Sequence, residues 1–228
     1  MNTKVVVLAA GNSSRLNRDY PKCLVRLSNG KTILEQILSA VSDHIDLDHV
    51  LIVVGSQKEL IIEAFPNLLY AFNKDFNVKE NSKSLLLALR KLENHDVICI
   101  NSDVVLESEV VQRVFNFPNS CMAVSNSAVG DEEIKYNVNK DGCITEVSKT
   151  AQNALGEAVG VSKFAAKDLP LLREKLLECK DTDYFERGIE LAINQGLQIY
   201  PVDISDLICM EVDFEEDLKL ANATLRQD

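Results

Sequence analysis

The chain has no tryptophan, only three histidines, and no apolar run approaching the roughly 20 residues that a membrane-spanning helix requires. Without tryptophan it lacks the aromatic best suited to facing a quaternary ammonium. His44, His49 and His95 keep no ligand spacing with any cysteine, which disfavours a zinc site. The six cysteines (Cys23, Cys99, Cys121, Cys143, Cys179 and Cys209) form no C-x-x-C pair, and several lie within apolar runs, so they read as reduced core thiols. Positive charge is also short. A formal net charge of -11 repels a phosphate backbone, so no nucleic-acid partner is expected, and any polyanionic ligand needs a local cationic site. Met1 to Lys4 leads directly into an apolar segment with no signal-peptide pattern, so the expected location is cytoplasmic, without a membrane partner.

What is present suits a globular α/β protein of 228 residues, 46% hydrophobic and 26% charged. Short apolar runs alternate with segments of helical period, the pattern of strands followed by crossover helices. Lys4 to Ala9 predicts a strand ending in a glycine loop, and Ile33, Leu34, Ile37, Leu38 and Val41 share one helical face. Val50 to Val54 and Leu69 to Phe72 predict further strands, with a helix between them that Pro66 closes. Leu85 to Leu92 predicts a helix, and Val97 to Ile100 a buried strand delivering Asn101, Ser102 and Asp103 at its end. After about residue 118 the pattern becomes β-rich, with a hairpin at Asn139 to Gly142 because Asp-Gly readily takes positive φ. Helices at Leu169 to Leu177 and Phe185 to Gln195, strands near Ile199 to Val202 and Leu207 to Val212, and a helix from Glu215 complete the pattern. This predicts a single unit over 1–228, with a parallel α/β half (1–117) and a second half (118–228) that includes a β-rich insertion and returns to the sheet.

The densest signal is "LAAGNSSRL", Leu8 to Leu16, followed by Pro21 and Lys22. Leu8, Ala9, Ala10, Gly11, Asn12, Ser13 and Ser14 form a small-residue loop whose backbone N–H groups can turn toward an anion, with Arg15 and Lys22 as cationic donors. It is not a Walker loop, since no Gly-Lys-Ser/Thr follows, and Ser13 and Leu16 stand where a dinucleotide fingerprint needs glycine. Taken alone, such a loop is more often an ordinary βα turn with two solvated basic residues.

"LAAGNSSRL" with "PKCL" resembles the signature of the nucleotide-diphospho-sugar transferase superfamily. "FNKDFNVKENSKSLLLAL", "NSDVV", "ITEVSK", "GEAVGVSKF", "TDYFERGIELAINQGLQIYPVDI" and "MEVDFEEDLKLA" are similar to its phosphocholine and 2-aminoethylphosphonate cytidylyltransferase branch. The chain departs from the pattern at Ser13, where glycine is common, and at Phe185 and Arg187, where a tyrosine and an acidic residue are expected. The resemblance implies a three-layer αβα sandwich on a mostly parallel mixed sheet. It also implies transfer of a nucleotidyl group from CTP to a small phosphorylated or phosphonate acceptor, with release of pyrophosphate.

In that reading the loop and Ser102 hold the triphosphate, and Arg15 and Lys22 are catalytic. Asp103 and Asp213, each following an apolar strand, hold a magnesium ion completed by phosphate oxygens and water. Asp213 could equally cap the helix after it. Asn81 and Ser84 either contact the pyrimidine or cap a helix. Lys149 either meets the acceptor's phosphate or is a solvated turn residue, while Glu157, Tyr184 and Glu186 are candidates for holding a substrate ammonium. A homodimer is compatible with the sequence. Alternative readings are a sugar 1-phosphate nucleotidylyltransferase, a molybdopterin cytidylyltransferase and a non-catalytic nucleotide-binding regulatory domain.

Overall fold

A computed structural model describes residues 3–11, 16, 18–78, 80–126, 130 and 133–225. One sheet organises the chain. Its strands run in the order β10 (Tyr200–Asp203), β6 (Cys121–Ser125), β9 (Gly156–Phe164), β4 (Asp96–Asn101), β1 (Thr3–Ala9), β2 (Val50–Val54) and β3 (Leu69–Phe72). β1 pairs in parallel with β2 and β4, β2 with β3, and β6 with β10, whereas β9 runs antiparallel to both β4 and β6.

Central strands of such a sheet are covered on both faces, so they consist of continuous apolar residues that alternate between two cores. In β1, Val5, Val7 and Ala9 point into one core and Val6 and Leu8 into the other. The first core is completed by α1 (Ile33–Ser42), α4 (Ser108–Asn116) and α7 (Glu215–Thr224), which contribute Ile37, Val110 and Ala221. The second is completed by α3 (Asn81–Leu89), α5 (Leu169–Glu178) and α6 (Phe185–Ile193), through Leu85, Leu172 and Ile189. The result is the expected α/β sandwich with a large, mixed, mostly parallel sheet. Thr32 opens α1 with a capping box: its side chain accepts from Glu35 N, and the Glu35 carboxylate accepts from Thr32 N. α2 (Lys58–Ala64) lies between β2 and β3, as expected.

Several expectations need correction. The β-rich region is not an insertion as a whole, because β6, β9 and β10 belong to the main sheet. The hairpin of β7 (Lys135–Val138) and β8 (Ile144–Ser148) is a side branch of the same sheet, paired through β9. In the hairpin turn only Gly142 has positive φ (78°), and Asp141 does not share it. The helix expected at Leu85 to Leu92 begins earlier, at Asn81, and ends at Leu89. α4 was not anticipated, although Val110, Val111 and Val114 supply its buried stripe. Also unanticipated is β5 (Val104–Leu106), which pairs antiparallel with β11 (Cys209–Glu211) in a separate ribbon. All six cysteines are free thiols, and burial pushes that of Cys23 up to about 12.

Candidate active site

β1 to β4 are parallel, so their C-terminal ends share one edge of the sheet, where α/β folds place ligands. A cavity of about 570 Å³ opens along that edge. Leu8, Ala9, Ala10 and Gly11 line it as the chain leaves β1, Asn81 and Ser84 as it enters α3, and Asn101, Ser102 and Asp103 as it leaves β4. Ser102 N donates to Leu8 O across 3.2 Å, which fixes the two strand exits side by side.

The ribbon missed in the sequence closes the site. Because Glu211 pairs with Val104, and Val212 N donates to Asp103 O at 2.9 Å, Asp213 is carried to the turn that holds Asp103. Pro21 leads a short 3-10 turn, Lys22–Leu24, that aims Lys22 between them. Lys22 Nζ donates to Asp103 Oδ2 at 2.9 Å and to Asp213 Oδ1 at 2.5 Å. Burial by itself would push the ammonium's pKa down, but Asp103 and Asp213 outweigh it and hold the group above the ordinary lysine value.

Asp213 therefore does not cap the helix that follows. That role falls to Asp217, whose carboxylate accepts from Phe214 N at 2.7 Å and from Asp213 N at 2.9 Å. The two aspartates already share one cation, and the buried Asp103 Oδ1 accepts no hydrogen bond among the described residues. That donor set fits a hard divalent ion bound through two carboxylates, with further oxygens from phosphate and water. No three His, Cys, Asp or Glu side chains converge as an all-protein metal cage among the described residues.

Neither Asn81 nor Ser84 caps α3: Glu80 precedes the first turn, Asn81 Oδ1 accepts from Phe185 N at 2.9 Å, and Ser84 Oγ accepts from Asn73 Nδ2 at 3.0 Å. Both still border the cavity. Lys149, Tyr184 and Glu186 line it as well, with Lys149 Nζ 5.3 Å from the centre of the Tyr184 ring. Glu157 does not line the cavity. It lies half-buried in β9, opposite Ser125 and Lys135, with its pKa raised by burial and by Glu133. Asn12, Ser13, Ser14 and Arg15 lie outside the described residues.

Asn101 and Glu211, neither of them assigned a role from the sequence, also line the cavity. Each stands two positions ahead of a site aspartate, and a period of two on an extended chain was the available signal. Asn101 Nδ2 donates to Glu211 Oε1 at 3.2 Å. Gly160 makes room for this pair. It has φ +69°, and a Cβ there would lie 2.7 Å from Glu211 Oε1 and 3.1 Å from Asn101 Nδ2. Burial raises the pKa of Glu211, and the charge of Asp103 adds to it. Burial likewise pushes Glu186 up to about 7, an effect Lys149 opposes and Asp103 reinforces.

Residues 5–152 match the MobA-like NTP transferase domain. The chain belongs to that family. A further relative is the bifunctional protein GlmU of Francisella tularensis subsp. novicida, 30% identical over 120 residues, or 52% of this chain and 26% of that protein. The chain thus matches about a quarter of that relative's length. The fold is shared with solved structures across the nucleotide-diphospho-sugar transferase superfamily. CTP:phosphocholine cytidylyltransferase (LicC) of Streptococcus pneumoniae has a TM-score of 0.77 at 20% identity, covering 99% of this chain and 100% of that one. The inositol-1-phosphate CTP transferase of T. maritima has a TM-score of 0.81 at 18% identity, covering 97% and 94%. A glucose-1-phosphate thymidylyltransferase from Bacillus anthracis has a TM-score of 0.78 at 15% identity, covering 99% and 96%. No helix among the described residues is long and apolar enough to cross a membrane.

Proposed function

We propose that the chain transfers the cytidylyl group of CTP to a small phosphorylated or phosphonate acceptor of the phosphocholine or 2-aminoethylphosphonate type, releasing pyrophosphate. The observation that carries this reading is the Lys22 ammonium held between Asp103 and Asp213 in a cavity bordered by Leu8 to Gly11. The choice of CTP rests on the sequence resemblance. It is supported by two structural neighbours described as CTP-using transferases.

An acceptor oxygen, already anionic at neutral pH, attacks the α-phosphorus of CTP. A new P–O bond forms, the bond from the α-phosphorus to the α–β bridging oxygen breaks, and its electron pair leaves with pyrophosphate. No strong general base is required, and no histidine lines the cavity among the described residues. Lys22 neutralises the crowded α-phosphate, and Arg15, by the same resemblance, the departing pyrophosphate. Asp103 and Asp213 would hold magnesium, which when bound supplies charge neutralisation to the phosphate oxygens. Asn81 and Ser84 border the part of the cavity assigned to the pyrimidine, and Lys149 the part assigned to the acceptor's phosphate.

The test is thermal stability with CTP, UTP, GTP and ATP, each with magnesium, followed by pyrophosphate release with a panel of acceptors. A ligand that binds only the folded state raises the melting temperature. CTP is expected to give the largest rise and to support pyrophosphate release. Absence of release with every nucleotide and acceptor, hexose 1-phosphates included, overturns the reading.

A further inference from the structure

α6 begins without a cap of its own. Tyr184 stands at its N-cap position, and that side chain makes no capping hydrogen bond. The first N–H groups of a helix have no partner inside it, and a polar side chain beside them normally supplies one. Here the acceptor comes from 104 residues away, because Asn81 Oδ1 accepts from Phe185 N at 2.9 Å.

The end of α5 is served by the same turn of α3. The last carbonyls of a helix lack donors within it, and a lysine can satisfy them. Lys83 Nζ donates to Leu176 O at 3.0 Å and also to Cys179 O. Between the two helices, Glu80 N donates to Asp181 O at 2.7 Å. Glu80, Asn81 and Lys83 all belong to the start of α3, so one helical turn holds the end of α5, the connection and the start of α6.

The segment held in this way is a wall of the cavity. Asp181, Thr182, Tyr184 and Glu186 line it, and Lys149, assigned above to the acceptor's phosphate, lies over the Tyr184 ring. Lys83 itself lies outside the lining. Asn81 borders the cavity, but its carboxamide oxygen is committed to a backbone N–H.

Resting on the transferase reading above, we propose that Asn81 and Lys83 are positioning residues for the acceptor. They fix residues 176–186 against α3 as the acceptor's wall, and they leave selection of the nucleotide to other groups.

The first arm of the experiment needs no ligand. Backbone hydrogen exchange, read by mass spectrometry of peptides, compares the parent with Asn81→Ala, Asn81→Asp and Lys83→Met. Peptides covering 180–186 are expected to exchange about tenfold faster in Asn81→Ala and Lys83→Met, the effect of losing one buried hydrogen bond. Asn81→Asp keeps an oxygen for Phe185 N at a helix N-terminus that favours a carboxylate, and it should exchange like the parent. Peptides from β1 and β4 report that each variant is folded. The second arm is pyrophosphate release with magnesium, using the most active pairing of CTP, UTP, GTP or ATP with phosphocholine, 2-aminoethylphosphonate or glucose 1-phosphate. Asn81→Ala and Lys83→Met are expected to raise the KM of the acceptor about tenfold, with the KM of the nucleotide within about twofold of the parent. Unchanged exchange over 180–186 in both variants overturns the proposal. So does Asn81→Asp exchanging like Asn81→Ala, or an acceptor KM that moves no more than the nucleotide's. Silence of the parent with every nucleotide and acceptor sinks the transferase reading instead, while the exchange arm still decides whether α3 holds the segment.

Discussion

Asn101 and Glu211 stand two positions ahead of Asp103 and Asp213, and the amide of the first reaches the carboxylate of the second across 3.2 Å. The two strand ends that carry the site aspartates are therefore tied to each other one step behind the aspartates themselves. Three distant stretches of the chain, carrying Lys22, Asn101 with Asp103, and Glu211 with Asp213, become one polar cluster on an apolar sheet.

Replacing Lys22 by alanine is expected to lower turnover a hundredfold or more, since one charge contact at a transferring phosphoryl group is worth ~3 kcal/mol. Far-ultraviolet circular dichroism of the variant should match the parent, because the side chain reaches into the cavity rather than the core. Near-normal turnover would remove Lys22 from the mechanism.

The same lysine occupies the place between two carboxylates that a divalent cation would share. Lys22→Met should bind Mn²⁺ alone, without nucleotide, more tightly than the parent, because the competing ammonium is gone. Titration by electron paramagnetic resonance reads this directly. Equal or weaker affinity would mean that the aspartates do not hold the metal. Chelation should also stop pyrophosphate release in the parent protein and restore it on adding magnesium.

Glu186 links the site to pH. Its carboxyl titrates near 4.5 in an unfolded chain and is pushed up to about 7 here by burial. A pKa raised on folding favours the neutral form, so this group's contribution to stability is complete below about pH 4.5 and is lost as pH rises through about 7. The loss amounts to about 3 kcal/mol. Glu186→Gln cannot ionise, so its stability relative to the parent should improve steadily between pH 5 and pH 8 in urea unfolding. A flat difference would show that the group titrates normally.

Gly160→Ala tests the space behind the aspartates. The left-handed φ of +69° disfavours any side chain, and the new methyl would press on Glu211 Oε1 and Val104 Cγ2. Destabilisation of about 1–3 kcal/mol is expected, with a lower kcat/KM than the stability change explains. A variant as stable and active as the parent would show that the Asn101 and Glu211 pair tolerates displacement.

The parts of the fold that were legible in the sequence are those where one local rule acts alone. Val50 to Val54 and Leu69 to Phe72 are apolar runs bounded by punctuating residues, and both strands are found with those bounds. Glycine-loop residues, Lys22, Asp103 and Asp213 could be named because the superfamily resemblance marks them, and the structure brings Lys22 and the two aspartates into contact. What escaped depended on distant partners. β5 has only three residues and exists through its pairing with β11, a segment more than a hundred residues away. Glu211 reaches the cavity wall on β11, whose place is set by that pairing. Glu157 shows the converse, since its position in β9 fits a pocket residue by pattern, yet the register opposite Ser125 and Lys135 places it elsewhere.

The ribbon of β5 and β11 also fixes when a newly made molecule can become competent. The segment that matches the family ends at residue 152, whereas the second aspartate arrives at 213. A ribosome-bound chain can thus complete β1 to β4 and bury most of its first core while still holding only half of its acidic pair. On the proposed function, competence requires residues 209–213 to have emerged and paired with a strand synthesised a hundred positions earlier. Protease clipping near residue 208 would accordingly silence a molecule whose remaining sheet stays paired.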